Sequence, residues 1–238
     1  MAWQKAAIFG ASGGIGGALV RALAGQGVEV LAGSRSGCAP DLPGVTPFSF
    51  DLTDEDSIAA AVSGWQGDPP DLVIVASGVL TLADGTGPER SLRQIDGAAM
   101  AQMFALNTIG PALVAKHVLP LLPRHRPATF AALSARVGST GDNRVGGWHS
   151  YRASKAALNM LIRNFAIELG RTHRQGVVVG LHPGTVDTRL SAPFQANLPE
   201  GQLTAADAAA ANLLAVLAGL GVTDSGGVFD WRGERVAE

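Results

Sequence analysis

A glycine-rich strand-to-helix turn lies near the N-terminus, in the stretch Ala6-Ala7-Ile8-Phe9-Gly10-Ala11-Ser12-Gly13-Gly14-Ile15-Gly16. Its first four residues form a short apolar run typical of a buried strand, and a helical pattern follows its last glycines. Glycines at such a turn let the backbone bend tightly and approach a pyrophosphate, whose charge lies at the helix N-terminus. The spacing Gly-x-x-x-Gly-x-Gly differs from the commoner Gly-x-Gly-x-x-Gly, and a purely structural turn is the alternative. The stretch predicts a β-α unit whose turn binds a nucleotide.

The rest of the chain repeats this alternation of short apolar runs and longer helical patterns. Strands are predicted at residues 6–9, 28–32, 72–75, 129–133 and 177–181, and helices at residues 15–24, 54–62, 96–122, 150–171 and 204–218. The alternation predicts an α/β fold with a doubly wound parallel β-sheet and helices on both faces, a single-domain Rossmann fold over residues 1–238. Ligands of such sheets bind beyond the carboxyl ends of the strands.

Composition restricts the class of protein. With 238 residues, 47% of them hydrophobic and 16% charged, the chain is expected to form a well-buried globular core. A net charge of -2 and no run of basic residues argue against binding nucleic acid or an anionic membrane. The single cysteine, Cys38, forms no internal disulfide and builds no cysteine-rich metal site, which favours a reducing cytoplasm and no metal. The uncharged stretches at residues 6–20 and 208–222 are too short to span a bilayer.

The only tyrosine, Tyr151, precedes Lys155 by four residues, so both side chains lie on one face of the predicted helix. Apolar residues continue this face and are expected to bury it: Leu158, Ile162, Phe165 and Leu169. An ammonium about 4 Å from a phenol contributes about 4 kcal/mol at an effective dielectric constant of about 20. That energy is enough to lower a tyrosine pKa by about 3 units, as acid or base catalysis at neutral pH requires. The alternative is a surface helix on which the two side chains merely neighbour each other.

The end of the second predicted strand bears on the cofactor. It reads Ala32-Gly33-Ser34-Arg35-Ser36, without the acidic residue that would hold a free adenosine ribose. Arg35, flanked by serines, suits a 2′-phosphate, which favours NADP(H) over NAD(H). A solvated loop arginine is the alternative. The missing acid also argues against a methyltransferase that binds S-adenosylmethionine.

With these motifs the chain resembles the short-chain dehydrogenase/reductase superfamily over nearly its whole length. Within it, Tyr151-Arg-Ala-Ser-Lys-Ala-Ala-Leu-Asn159 and Phe229-Asp-Trp-Arg-Gly-Glu234 resemble the C-factor and sniffer-like carbonyl reductases. The resemblance implies that Tyr151 is the general acid/base and that Lys155 lowers its pKa and holds the nicotinamide ribose. Together with the glycine turn and Arg35, it gives an expected dinucleotide site of Gly10, Ser12, Gly13, Gly14, Ile15, Gly16, Ser34, Arg35, Asp51, Leu52, Ala76, Gly78, Tyr151, Lys155, Pro183, Gly184, Val186 and Thr188.

A proline interrupts the long helical pattern at residues 96–122. Pro111 follows Asn107 by four residues, so it has no N–H to offer to the Asn107 carbonyl, and its ring crowds that oxygen. The helix should therefore bend there. The resemblance implies that this carbonyl holds a water linking the active-site lysine to solvent. A kink that only helps packing is the alternative.

The chain departs from its relatives at two places. Relatives usually have Asn-Asn-Ala-Gly where this chain has Val75-Ala76-Ser77-Gly78, so the asparagine's bonds are lost. Relatives also commonly carry Ser-Ser-x-x-Gly after the strand at residues 129–133, and the second serine polarises the substrate carbonyl. Here the matching stretch is Ser134-Ala135-Arg136-Val137-Gly138, so alanine occupies the position of the second serine. Ser134 lies one residue earlier, and on an extended chain a shift by one residue reverses the direction of the side chain. Ser134 is expected to supply the hydroxyl, with Ser139 as the second choice.

The substrate and the assembly are predicted from apolar surfaces near Tyr151. Trp148 and the segment from Leu190 to Phe194, within a substrate-binding loop at about residues 188–203, favour a small apolar carbonyl or alcohol substrate. A second apolar face of the same helix, with Met160 and Ile167, favours a homodimer or homotetramer. The expected function is NADPH-dependent reduction of an aldehyde or ketone to an alcohol, or the reverse. The alternative is an NADP(H)-binding sensor or signalling protein with weak or no catalysis.

Overall fold

The computed structural model describes residues 3–197, 199 and 201–237. Its strands are β1 (Lys5–Phe9), β2 (Glu29–Ser34), β3 (Val45–Ser49), β4 (Leu72–Val75), β5 (Ala128–Leu133), β6 (Gly176–His182), β7 (Thr185–Val186), β8 (Leu203–Thr204) and β9 (Val228–Asp230). Its α-helices are α1 (Gly14–Gly25), α2 (Glu55–Val62), α3 (Gly97–Phe104), α4 (Gly110–Val118), α5 (His149–Leu169) and α6 (Ala206–Gly219).

Seven strands form one parallel sheet in the order β3-β2-β1-β4-β5-β6-β9, and β7 pairs with β8 in a small second sheet. Helices α1 and α6 cover one face of the large sheet, where Leu19 and Leu213 are fully buried. Helices α2, α4 and α5 cover the other face with Ile58, Val114 and Leu158. The predicted doubly wound α/β fold is confirmed.

Two strands of the sheet were not predicted from the sequence. The edge strand β3 is mostly exposed and contains Pro47, so it lacks the continuous apolar run of a central strand. A proline is tolerated there because an edge strand leaves one row of backbone groups outside the ladder. The opposite edge strand, β9, has only three residues, too few for a periodic signal.

The helix predicted at residues 96–122 is interrupted where Pro111 indicated. A π-helical turn, Ala105–Ile109, separates α3 from α4, and the Gly110 N–H donates to the Ala105 carbonyl five residues earlier. A 3₁₀ turn, Leu119–Leu121, follows α4. By length and mean hydropathy, 1.3, the stretch Gly97–Leu121 is apolar enough to cross a membrane, although Met103, Val114 and Val118 are buried in the protein's own apolar clusters.

The amino edge of the sheet is held by Asp71, just before β4. Its carboxylate is 4% exposed and accepts hydrogen bonds from the backbone N–H groups of Gln4 and Lys5, each at 3.2 Å, and from Arg126 Nη1 at 2.5 Å. These bonds fix the start of β1 at the edge opposite to the predicted ligand site.

Candidate active site

The turn between β1 and α1 has no room for side chains at its glycines. Gly10 has a φ of 105°, and a Cβ atom on Gly16 would lie 2.1 Å from the Gly10 carbonyl oxygen. A Cβ on Gly14 would lie 2.6 Å from Thr188 Cγ2, so the loop after β7 closes against the start of α1. The N-cap of α1, Gly13, provides no side-chain cap, which leaves first-turn N–H groups for an anion. This cradle fits a pyrophosphate.

The other residues of the expected dinucleotide site lie at the carboxyl edge of the same sheet. They end or follow β2, follow β3, β4 and β6, or lie in and after β7: Ser34, Arg35, Asp51, Leu52, Ala76, Gly78, Pro183, Gly184, Val186 and Thr188. Parallel strands bring their carboxyl ends to one edge, so residues far apart in the sequence meet there.

Arg35 and Asp51 lie at the two neighbouring strand ends where the adenosine is expected. Arg35 is exposed, whereas the Ser34 hydroxyl is 1% exposed and donates to the Cys38 carbonyl at 2.7 Å. The Asp51 carboxylate accepts from the Thr53 N–H at 2.8 Å and the Thr53 hydroxyl at 2.7 Å. These hydrogen bonds, and the charge of Arg35, lower the pKa of Asp51 below its usual value. In the loop between β2 and β3, residues 35–44, Arg35 is the basic residue, and it is exposed to solvent.

Tyr151 and Lys155 are both buried on the inner face of α5, as predicted, with 8% and 4% of their surfaces exposed. Lys155 Nζ donates to the Leu133 carbonyl at 2.8 Å and lies 6.0 Å from the centroid of the Tyr151 ring. Burial lowers the pKa of Lys155 to about 8 and raises that of Tyr151 to about 12. The expected lowering of the Tyr151 pKa is therefore not found, because burial desolvates the phenol and the ammonium of Lys155 is directed at the Leu133 carbonyl.

Asn107 joins this pair through its side chain. Its Oδ1 accepts from the Val79 N–H and its Nδ2 donates to the Val79 carbonyl, both at 2.8 Å, which fixes the chain after β4. A Cβ atom on Gly78 would lie 3.1 Å from Asn107 Oδ1 and 3.5 Å from Lys155 Nζ. From the sequence, only the backbone carbonyl of Asn107 is predicted to act, and this clamp by its side chain is not predicted. Tyr151, Lys155, Gly78 and Asn107 thus meet at one place.

Ser134 points away from Tyr151, contrary to the prediction. Its hydroxyl donates to Asn159 Oδ1 at 2.5 Å, and Asn159 lies eight residues beyond Tyr151 on α5, about 12 Å along the helix. Ala135 is extended (φ -151°, ψ 143°), so its side chain takes the opposite direction and joins the apolar cluster around Tyr151. The second choice, Ser139, accepts from the Asp142 N–H at 3.0 Å.

An apolar cluster surrounds the Tyr151 ring. Trp148 lies edge-on to it at 6.2 Å between centroids, and Phe194 contacts Trp148 at 5.4 Å. Phe194 belongs to the 3₁₀ segment Ala192–Asn197 in the expected substrate-binding loop, of which Leu198 and Glu200 lie outside the described residues. The cluster is completed by apolar side chains from three segments: Val79, Leu80, Leu82, Ala99, Met103, Ala135 and Val137.

The comparison with known families agrees with this geometry. A family model described as short chain dehydrogenase matches residues 4–199. This chain belongs to the short-chain dehydrogenase family. Its members depend on NAD(P), and the chain is accordingly an NAD(P)-dependent oxidoreductase resembling carbonyl reductases.

Individual relatives of this short-chain dehydrogenase are similar over most of their lengths. C-signal of Myxococcus xanthus is 36% identical over 169 residues, which cover 71% of this chain and 92% of that protein. The 1-hydroxy-2-glutathionyl-2-methyl-3-butene dehydrogenase of Rhodococcus sp. (strain AD45) is 34% identical over 192 residues, 79% of this chain and 80% of that one. The NADPH-bound carbonyl reductase from chicken fatty liver has a TM-score of 0.86 at 25% identity, with all of both chains covered.

Glu89 of this short-chain dehydrogenase, whose carboxylate lies at the start of α5, is not predicted from the sequence. Its signal appears only with the observed bounds of the helix. Because α5 begins at His149, the residues before it are Gly146, Gly147 and Trp148, and none of them is a capping serine, threonine, aspartate or asparagine. A helix start without its own cap indicates an acceptor supplied from elsewhere in the chain.

Replacing Lys155 in this dehydrogenase is expected to stabilise the fold at neutral pH. The lysine pKa falls from 10.5 to about 8 on folding, so the unfolded chain binds more protons between these values and stability rises with pH across that window. Lys155→Met removes the buried charge and should raise the free energy of unfolding at pH 7 by up to about 3 kcal/mol. The gain is reduced by the free energy of the hydrogen bond to the Leu133 carbonyl that is lost. Urea unfolding at pH 7 and pH 9.5 measures both effects.

Lys116→Met is the matched control, because Lys116 is an exposed lysine paired with Glu55. The wild type should become more stable relative to Lys155→Met between pH 8 and pH 10, and Lys116→Met should keep a constant difference from the wild type. If the free energies of unfolding of the wild type and Lys155→Met change with pH in parallel, the cost assigned to burying the lysine is contradicted.

Proposed function

We propose that this protein is an NADPH-dependent carbonyl reductase that converts an aldehyde or ketone to an alcohol, with Tyr151 as the proton donor. The observation that carries the proposal is the meeting of Tyr151, Lys155 and Asn107 beside the glycine cradle, inside an otherwise apolar cluster. A single phenol among apolar side chains is suited to protonating one oxygen atom of a bound substrate.

The protonation state of Tyr151 fits a role as proton donor. Burial raises its pKa to about 12, so the phenol is protonated at neutral pH and can give a proton to a carbonyl oxygen. NADPH held at the glycine cradle of Gly10, Gly14 and Gly16 would supply the hydride for the carbonyl carbon. Lys155, with a pKa of about 8, is charged at pH 7 and lies 6.0 Å from the centroid of the Tyr151 ring, so it is the cation nearest to the proposed proton donor that the site contains. Asn107 holds Gly78 and Val79 against this lysine and fixes its position.

Exposed Arg35 supports NADPH as the preferred dinucleotide. It is the cation after β2, and a guanidinium is a strong donor for a 2′-phosphate. The structure of the carbonyl reductase from chicken fatty liver contains NADPH, which agrees with this assignment.

Apolar surfaces support the proposed substrate and assembly. The cluster of Trp148, Phe194 and their neighbours favours a small apolar carbonyl compound. Met160 and Ile167 on the outer face of α5 are 63% and 53% exposed, which favours a homodimer or homotetramer through this face. The single free cysteine, Cys38, agrees with a cytoplasmic location.

A second candidate function is an NADP(H)-binding sensor or signalling protein with weak catalysis. Two observations favour it. Ala135 gives the site no hydroxyl at the position where relatives have serine, and C-signal is similar to this chain over 92% of its own length.

Tyr151→Phe is expected to lower the rate of NADPH oxidation by about 10²- to 10⁴-fold, because it removes the general acid. NADPH oxidation is measured across a broad panel of aldehydes and ketones, and NADPH affinity by equilibrium titration should stay near that of the wild type. A variant that keeps most of its activity would contradict the mechanism. A wild type that binds NADPH and reduces no member of the panel would favour the sensor.

Arg35→Ala is expected to weaken NADPH binding by about 10-fold or more and to leave NADH binding unchanged, because a hydrogen bond to a charged group contributes about 1.5 to 3 kcal/mol. Fluorescence titration with each dinucleotide gives both affinities. Arg171→Ala is the matched control, since Arg171 is an exposed arginine after the end of α5, before β6 begins. Equal losses with both dinucleotides would remove the argument for the 2′-phosphate.

Ala135→Ser is expected to raise kcat/KM by about 3- to 10-fold, the effect of one neutral hydrogen bond to the substrate oxygen. The added hydroxyl follows the direction of the Ala135 side chain, into the cluster with Tyr151. Ser134→Ala is measured beside it and lowers kcat/KM only if the Ser134 hydroxyl leaves Asn159 to reach the substrate. No gain from Ala135→Ser would show that position 135 does not face the reacting carbonyl.

A further inference from the structure

Glu89 lies in the long connection between β4 and α3, and 8% of its surface is exposed. Its carboxylate accepts from the Ser150 N–H at 3.1 Å and also from the Ser150 hydroxyl. Its backbone carbonyl accepts from the Trp148 N–H at 2.5 Å. One residue, 61 positions away from Ser150 in the sequence, therefore holds both sides of the first turn of α5.

Helix α5 has no capping group of its own at its N-terminus. Its N-cap, Trp148, has a left-handed backbone (φ 50°, ψ 44°) and no side-chain cap, and the first turn contains no acidic residue. Among the described residues Trp148 is the one non-glycine with a positive φ, and Gly146 and Gly147 before it are left-handed as well. A large side chain in this region is strained and persists only where its surroundings hold it.

The carboxylate is well suited to hold this helix start. Burial, the largest single influence, raises the pKa of Glu89, but hydrogen bonds from Ser150 and backbone N–H groups together bring that pKa below its usual value. The group is therefore ionised at neutral pH. A negative charge at a helix N-terminus is favoured by the helix dipole and by the unpaired N–H groups of the first turn.

The next residue after Ser150 is Tyr151. A shift of the helix start would move the phenol relative to Lys155, whose Nζ is held separately by the Leu133 carbonyl. It would also move Trp148, which contacts the Tyr151 ring and Phe194. The position of the phenol thus depends on the hydrogen bonds of Glu89 to Ser150 and Trp148, although Glu89 does not contact the phenol itself.

We propose that Glu89 is the positioning residue for Tyr151: it replaces the missing cap of α5, holds Trp148 in its left-handed conformation and so fixes the phenol against the substrate. This assignment rests on the proposed carbonyl reductase function. Glu89 touches neither the phenol oxygen nor the reacting atoms and acts through Ser150 and Trp148.

The test compares Glu89→Ala and Glu89→Gln with the wild type in two measurements. Hydrogen exchange, followed by mass spectrometry on peptides that cover residues 146–152, should be at least about 10-fold faster in Glu89→Ala, because the start of the helix loses its acceptor. In NADPH-dependent reduction, kcat should fall by about 10- to 100-fold with a smaller change in KM, as misplacement of a catalytic group predicts. NADPH affinity should stay within about 2-fold of the wild type, because the dinucleotide cradle is untouched.

Glu89→Gln keeps an oxygen that accepts from the Ser150 N–H, so it should retain most of the kcat and of the protection. It also keeps the test decisive if Glu89→Ala does not fold. Asp71→Asn is the matched control: Asp71 is likewise a buried carboxylate that accepts from backbone N–H groups, at the opposite edge of the sheet. It should lower the melting temperature and leave both kcat and exchange at residues 146–152 unchanged.

The outcomes separate this assignment from the proposed function. If the wild type reduces carbonyls and Glu89→Ala keeps its kcat, the positioning role is overturned. If Asp71→Asn lowers kcat as much as Glu89→Ala does, the effect is one of general stability and the role is likewise overturned. If the wild type reduces no carbonyl, the proposed function fails, and the exchange rates still decide whether Glu89 holds the start of α5.

Discussion

The hydrogen bond from Lys155 Nζ to the Leu133 carbonyl is the contact on which the geometry of the site depends. Leu133 is the last residue of β5, so this bond connects the second turn of α5 to the carboxyl edge of the sheet. Tyr151 lies about one turn earlier on the same helix face and is carried to that edge with it. The glycine cradle after β1 ends at the same edge, because all the strands of the large sheet are parallel.

This arrangement buries a charge, and the rest of α5 offsets its cost. A lysine pKa lowered from 10.5 to about 8 corresponds to about 3 kcal/mol. Leu158 and Ile162, on the same face of α5, are 1% and 0% exposed, and each contributes about 1.5 to 3 kcal/mol on burial. The apolar stripe that identified this face in the sequence is therefore also what keeps the lysine inside the protein.

The sequence predicted those features that depend on local pattern. Central strands such as β5 were found because burial on both faces requires a continuous apolar run, and a bend of the helix near Asn107, where the structure has a π-helical turn, was predicted because Pro111 lacks an N–H. Contacts between distant segments were not found. Neither the Asn107 clamp on Val79 nor the Glu89 cap on Ser150 has a sequence period, and Ser134 was assigned to the wrong side of an extended chain.

Ala135 makes the position of Tyr151 more critical than a serine there would. With serine, two hydroxyl groups would hold the carbonyl oxygen, and the substrate would be oriented even if one of them moved. In the proposed reaction Tyr151 is left as the donor, with a raised pKa of about 12 that makes it a weak acid. A general acid must lie within hydrogen-bond distance of the atom that it protonates, and without a second hydroxyl to orient the substrate the site needs a rigidly fixed phenol. A helix that starts at a strained Trp148 and is capped by a buried carboxylate meets that need.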